Sequence, residues 1–411
     1  MKLTATLLAL AAGLQVTSAF PHFATEENYQ KLAARGMVKQ RAPSNNPARK
    51  LEVRDLIGGL LQPLTGVLAA IDLPTPQNQV LELVPDAAHP YKAPGPTDIR
   101  GLCPTMNTMA NHGYISRNGI TTFAEAANGC QQAYGFGYDL CTFLSALGLL
   151  AGGDLVTGKM SISGPDARVP NTLGPAKGLD NHGPFEIDGS MSRNDTYFGD
   201  NHSFLMERWN TIRDFAKKYD NGNFGNAMWK KERKATYDKA VATNPEFYAG
   251  AKYIAVSIAE RAFIPRALPT FKGGPSPGIP DAFNVEPFFL NETFPANWFK
   301  RGDPYGLVGL AGDVVDYVTD LDTFTKPGQN QGIGNFVPFS LDLPTEPYAA
   351  GCFLFTTLAD VGAGGLEGEA VHAIGQVVEQ IMAPLFKGAF NCDFSGTNTP
   401  SSGSGSGVNG G

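Results

Sequence analysis

Most of the sequence between residues 104 and 386 carries helical rather than strand periodicity, and this constrains the fold more than any other feature. Helical patterns run over 104–112, over 122–150 as one or two segments around Gly135 and Gly137, and over 204–219, 226–243, 245–263, 311–324 and 368–386. Strand signals are few and short, and no internal repeat is present. At 411 residues, length alone allows two or three domains. The pattern predicts a mostly α chain, a single compact helical domain with few short strands. With 48 Gly and 30 Pro it is turn-rich without being low in complexity.

The ends read differently. Met1-Lys2, the apolar run from Leu3 to Val16 and the small residues Thr17-Ser18-Ala19 form a secretory signal peptide over 1–19. The run is too short for a membrane anchor. Residues 20–75 are expected to be a propeptide or N-terminal arm, with Leu56 to Leu73 as a helix packed on the core. The folded domain is expected over 76–394, with a disordered Gly/Ser tail over 395–411. Sequons at Asn194, Asn201 and Asn291 agree with secretion. A net charge of −7 argues against nucleic-acid and membrane-surface partners, which favour basic chains.

Secretion permits disulfides, yet the five cysteines (103, 130, 141, 352, 392) are odd in number, so at least one thiol stays outside any internal bridge. In one continuous helix Cys130 and Cys141 would stand about 16 Å apart, beyond disulfide reach; they can pair only if Gly135 or Gly137 breaks the helix. Both possibilities stay open. Cys103 is followed by Pro104, a residue favoured at the first helical position, which places Cys103 at the N-cap. Unsatisfied N–H groups and the helix dipole there are expected to lower its pKa. Such a sulfur can be a nucleophile, a metal ligand or a plain core cysteine; no local protease signature supports the first.

The stretch from Ala93 to Gly119 (APGPTDIRGLCPTMNTMANHGYISRNG) resembles the haem-thiolate peroxidases, the family of fungal chloroperoxidase and the unspecific peroxygenases. Leu102 stands in place of the first Pro of the family's Pro-Cys-Pro turn, while Cys103-Pro104 and the run through Asn111-His112-Gly113-Tyr114 and Arg117-Asn118-Gly119 are kept. The resemblance implies a helical domain around a haem b, with Cys103 as ligand of the iron and His112 packed structurally. A second segment, Phe185 to Arg193, resembles the family's magnesium motif. It implies Mg²⁺ held by Glu186, the Ile187 carbonyl and Ser190, hard oxygen donors that suit this ion, beside a haem propionate. The alternative is an acidic loop without a metal.

The resemblance further implies a distal carboxylate, and Glu260 lies in the matching small, apolar run. Burial there would raise its pKa toward neutrality and suit it to moving a proton. The charged partner of such a Glu in the family, an Arg seven residues earlier or a His in the magnesium motif, is replaced by Tyr253 and Ile187. Seven residues return to nearly the same helix face, so Tyr253 is expected to face as Glu260 does and to offer a hydrogen bond. Lys252 and Arg261 lie about 80° and 100° off that face, which makes them poor substitutes. Phe185 and Phe263 are candidates for the haem pocket by adjacency. The resemblance also pairs Cys352 with Cys392. The implied function is a secreted peroxidase or peroxygenase acting with hydrogen peroxide on small organic substrates, as a monomer or dimer. The rival is a secreted haem-binding protein of the same fold with little peroxide turnover.

Overall fold

Helix ends in this chain fall where the sequence places caps and breakers. The computed structural model describes residues 72–365, apart from 173, 184, 185 and 275, and residues 382–392. Helix α1 (Pro104–His112) starts with Pro104 directly behind Cys103 and stops at Gly113. Helix α2 (Phe123–Tyr134) opens on Thr122, whose side chain accepts from the Glu125 N–H, and ends at Gly135. Gly135 has φ of 68°, and a Cβ there would sit 2.3 Å from the Arg301 carbonyl oxygen, so the corner needs glycine on two counts. Helix α3 (Tyr138–Gly152) begins just beyond it and packs back on α2. The segment 122–150 is therefore two helices, and the reversal brings the Sγ atoms of Cys130 and Cys141 to 2.7 Å.

The later helices are α4 (Met206–Asp220), α5 (Asn226–Thr243), α6 (Ala251–Ala267), α7 (Ala282–Glu286) with a following π turn, α8 (Leu307–Val318) and α9 (Pro347–Gly365). Several differ from the periodicity reading: α8 runs over 307–318 against an expected 311–324, and the short α7 was not marked by any pattern. Helix α6 begins at Ala251, later than expected, because Tyr248–Ala249 pairs with another strand instead. Helix α9 was not expected, because its apolar and small residues run without the polar face that makes a period visible. Of the helix expected over 368–386, residues 368–381 lie outside the described residues and 382–386 are helical, within a run that extends to 390.

Strands are β1 (Glu82–Val84), β2 (Ile120–Thr122), β3 (Lys159–Ser161), β4 (Tyr248–Ala249), β5 (Trp298–Lys300), β6 (Gly328–Asn330) and β7 (Phe336–Pro338). They pair antiparallel as β1–β5, β2–β3 and β4–β6–β7, with Leu83 opposite Phe299 and Thr121 opposite Met160. These clips tie loops to a helical body, and the mostly α expectation holds. Helix α6 occupies the middle of that body, packed on α5, α8 and α9. It buries Tyr253, Ile254, Ile258, Arg261 and Ala262 on different faces. A Cys352–Cys392 disulfide ties α9 to the end of the described chain.

The signal peptide and the Gly/Ser tail lie outside the described residues, as does the arm except for its last residues. Thr75 and Gln77 are hydrogen-bonded to Gln131 on α2. Among the described residues, no helix is long and apolar enough to cross a membrane.

Candidate active site

The loop that delivers Cys103 is clamped on both sides. Asn107 reaches back to the N–H and the carbonyl of Gly101 at 2.9 and 2.8 Å. Asp180 accepts from the Leu102 N–H at 2.9 Å, and Arg193 donates to the Leu102 carbonyl at 3.3 Å. Gly101 is pressed so closely on Ile162 that a Cβ would meet its carbonyl oxygen at 1.8 Å. These contacts fix Cys103 at the start of α1 in an extended conformation. Its Sγ lies 3.1 Å from Thr105 Oγ1 and is faced by the N–H groups of Thr105 and Met106.

The expected lowering of the thiol pKa is not what results. Burial raises it, and the Thr105 hydroxyl and the two backbone donors offset this only in part. Cys103 is nevertheless exposed at its surface. The sulfur is thus desolvated by surrounding protein while still accessible.

Glu260 on α6 shows the same pair of properties. Its side chain is 44% exposed, while desolvation raises its pKa to about 7. The Arg261 cation opposes that rise, and Glu186 and Glu232 add to it. Cys103 and Glu260 are close enough for the carboxylate to push the thiol pKa upward. Cys103 at the start of α1 and Glu260 on α6 thus lie within electrostatic reach of each other.

The partner of Glu260 is not the residue the helix face suggested. Tyr253 is buried against Gly189, edge-on to Phe247 and below the Arg233 guanidinium, with its pKa pushed up to about 12 by burial. No hydrogen bond joins it to Glu260 among the described residues. Arg261 does reach Glu260, with Nη1 3.7 Å from Oε2. Its guanidinium is fully buried and held by Glu232 at 2.7 Å, by the Gly189 carbonyl at 3.1 Å and by the Ser257 carbonyl at 3.3 Å. The helical angle excluded Arg261 because angle measures where the Cβ points, and a guanidinium reaches sideways well beyond it.

The Glu186 to Ser190 loop borders this cluster. Glu186 Oε2 is taken by His182 Nδ1 at 2.5 Å and by Asn201 at 3.3 Å. Ser190 Oγ accepts from the N–H groups of Ser192 and Arg193 at 3.3 and 3.2 Å. Ile187 is half-buried and packs its side chain on the core. Asp188 is held by the Thr196 N–H and by Asn244. Among the described residues, no group of three or more His, Cys, Asp or Glu side chains converges as a metal site. His112 is structural, bonded to the His89 carbonyl and to Thr293 Oγ1. Phe185 lies outside the described residues, and Phe263 packs between Phe136 and Tyr305.

Residues 89–303 match the family model described as peroxidase, family 2. The chain belongs to this family. The enzyme is 32% identical to an aromatic peroxygenase of Coprinellus radians over 56% of its own length and 88% of the relative's. It is 28% identical to an aromatic peroxygenase of Cyclocybe aegerita, over 69% and 75% of the two chains. A dothistromin biosynthesis peroxidase of Dothistroma septosporum is 28% identical over 74% and 80%. The enzyme is accordingly a haem peroxidase or peroxygenase, an oxidoreductase that uses peroxide and small organic substrates. Sequence reasoning weighed Arg261 and set it aside, and it gave no role to Glu232, Thr105, Asp180 or Arg193. Thr105, two residues beyond the cysteine at a helix start, and Arg193, at the end of the Phe185–Arg193 segment, carried signals that could have found them.

Proposed function

We propose that the enzyme is a secreted haem-thiolate peroxidase or peroxygenase that uses hydrogen peroxide to oxygenate or oxidise small organic substrates. One observation supports this reading: the accessible Cys103 sulfur and the desolvated Glu260 carboxyl lie within electrostatic reach of each other. The residues present fit a haem b. Cys103 offers a sulfur with three donors to share thiolate charge. Close to it, Arg193 keeps a buried Nε without a hydrogen-bond partner, a donor suited to a haem carboxylate. Bound there, the haem would supply iron able to activate peroxide. Metal coordination deprotonates a thiol outright, so the upward pKa shift of Cys103 does not oppose the role.

Glu260 is the proton carrier in this reading. With a pKa near 7 it is present in both forms at neutral pH, so it can take a proton from one peroxide oxygen and return it to the departing one. Arg261 keeps a fraction of Glu260 ionised despite its desolvated surroundings. Tyr253 supports the Gly189 turn, whose carbonyl in turn holds Arg261.

Mg²⁺ belongs to the same proposal, with Glu186, the Ile187 carbonyl and Ser190 as hard donors. His182 competes for the Glu186 oxygen. Secretion rests on the signal peptide over 1–19 and on sequons, of which Asn291 is exposed. The propeptide over 20–75 and the tail over 395–411 then flank a domain over 76–394.

The test is the absorption spectrum of the reduced protein with carbon monoxide, taken with peroxide-dependent turnover of an aromatic substrate. A Soret band at the long wavelength of thiolate-ligated haem, lost in C103A, together with turnover is expected. The band without turnover would favour the haem-binding rival, and no haem would remove the reading altogether.

A further inference from the structure

We infer that Cys130 and Cys141 close a second disulfide, formed by peroxide, which staples the α2–α3 corner behind the Cys103 helix. Their Sγ atoms lie 2.7 Å apart, closer than two unbonded sulfurs rest. A movement of about 0.7 Å brings them to the S–S bond length of about 2.05 Å. Cys141 is wholly buried and Cys130 half-buried, both against the apolar core. Neither sulfur has another hydrogen-bond partner among the described residues. Desolvation, together with the Cys130 sulfur, raises the Cys141 thiol well above its usual range, so Cys141 stays protonated while the pair is reduced.

The odd cysteine count then resolves. Cys352 and Cys392 take two, Cys130 and Cys141 take two, and the exposed Cys103 at the start of α1 is the one left over.

The oxidation balances with hydrogen peroxide alone. Cys130, the more accessible sulfur, attacks one peroxide oxygen as its thiolate. The O–O bond breaks, a sulfenic acid remains, and the other oxygen leaves as hydroxide and becomes water with the Cys130 proton. The Cys141 sulfur then displaces the sulfenic hydroxyl, which departs as a second water with the Cys141 proton. The two sulfurs lose two electrons and peroxide gains them, so two thiols and one peroxide give one disulfide and two waters.

The location gives the bond a purpose. Tyr134, one turn after Cys130, donates its hydroxyl to the Thr105 carbonyl at 2.8 Å. Thr105 in turn touches the Cys103 sulfur at 3.1 Å. A staple at Cys130 thus fixes the helix that braces the first turn of α1.

Peptide mapping tests this without reference to haem. The holoenzyme is treated with a few equivalents of hydrogen peroxide, denatured in acid with an alkylating maleimide and digested with trypsin. Residues 118–159 form one tryptic peptide whose only cysteines are Cys130 and Cys141. The expected peptide is unlabelled, two hydrogens lighter than the dithiol, and takes two labels only after reduction. Two labels without reduction would overturn the inference. In a C130S variant Cys141 should become labelled, and the wild-type map decides whether or not that variant folds.

Discussion

Glu260 and Arg261 are chain neighbours with opposite charges, and they set each other's chemistry. Desolvation holds the Glu260 carboxyl at about 7, and the guanidinium restrains it from rising further. Taking the peroxide proton requires the ionised form, so activity should fall as pH drops through about 7. An E260Q variant should keep the haem spectrum and lose about 10²–10⁴-fold in kcat/KM, the span usual for a lost acid–base group. An unchanged rate would move the proton role elsewhere. Replacing Arg261 separates charge from fold. R261M should shift the acid limb of the pH–rate profile upward, since desolvation and the Glu186 and Glu232 carboxylates then act on Glu260 without the opposing cation. It should also cost about 3–5 kcal/mol of stability by stranding buried Glu232. R261K should restore much of the limb. A profile that stays in place in R261M would show that the 3.7 Å contact is without consequence. At this scale Cys103 was legible because Cys-Pro before a helical run fixes an N-cap. Arg261 and the direction of the Cys103 pKa were not. Both depend on what surrounds a side chain in space, which local spacing does not encode.

Helices α2 and α3 show what an element boundary does for the whole site. The corner at Gly135 turns one helical pattern into two packed helices and so brings Cys130 to Cys141. G135A should cost about 2–4 kcal/mol, from a left-handed φ that alanine resists and from the clash with the Arg301 carbonyl. Thermal unfolding reads this directly, and a loss below about 1 kcal/mol would mean that the corner relaxes easily. The elements with caps and a polar face were legible: α1, α4 and α5 lie within a residue or two of their expected limits. Helix α9 was not, since a chain segment that packs on several sides needs no polar face. Nor was β4, whose two residues are strand only because β6 lies alongside. Pairing across 80 residues leaves no local mark.

Over the whole molecule, the groups proposed for catalysis sit at the start of α1 and on α6, far apart in sequence, so their meeting depends on how the helices are held together. Helix α9 packs on α3, α6 and α8, and the Cys352–Cys392 bond ties it to the helical run over 382–390. The bond spans 40 residues of chain. In the chain-entropy picture a loop of that length contributes about 3–4 kcal/mol, acting on the unfolded chain rather than on native contacts. A C352S/C392S variant should therefore lower the denaturant midpoint in proportion, while kcat/KM at 25 °C and the carbon monoxide spectrum stay as in the parent. Both readouts are needed, because they separate two roles for the C-terminal part. If activity falls well below the unfolding transition, the tie positions Glu260 through α9 and α6. If stability alone falls, the fold around Cys103 and Glu260 is set by the α5, α6 and α8 packing, and the disulfide only restrains the ensemble from which it forms.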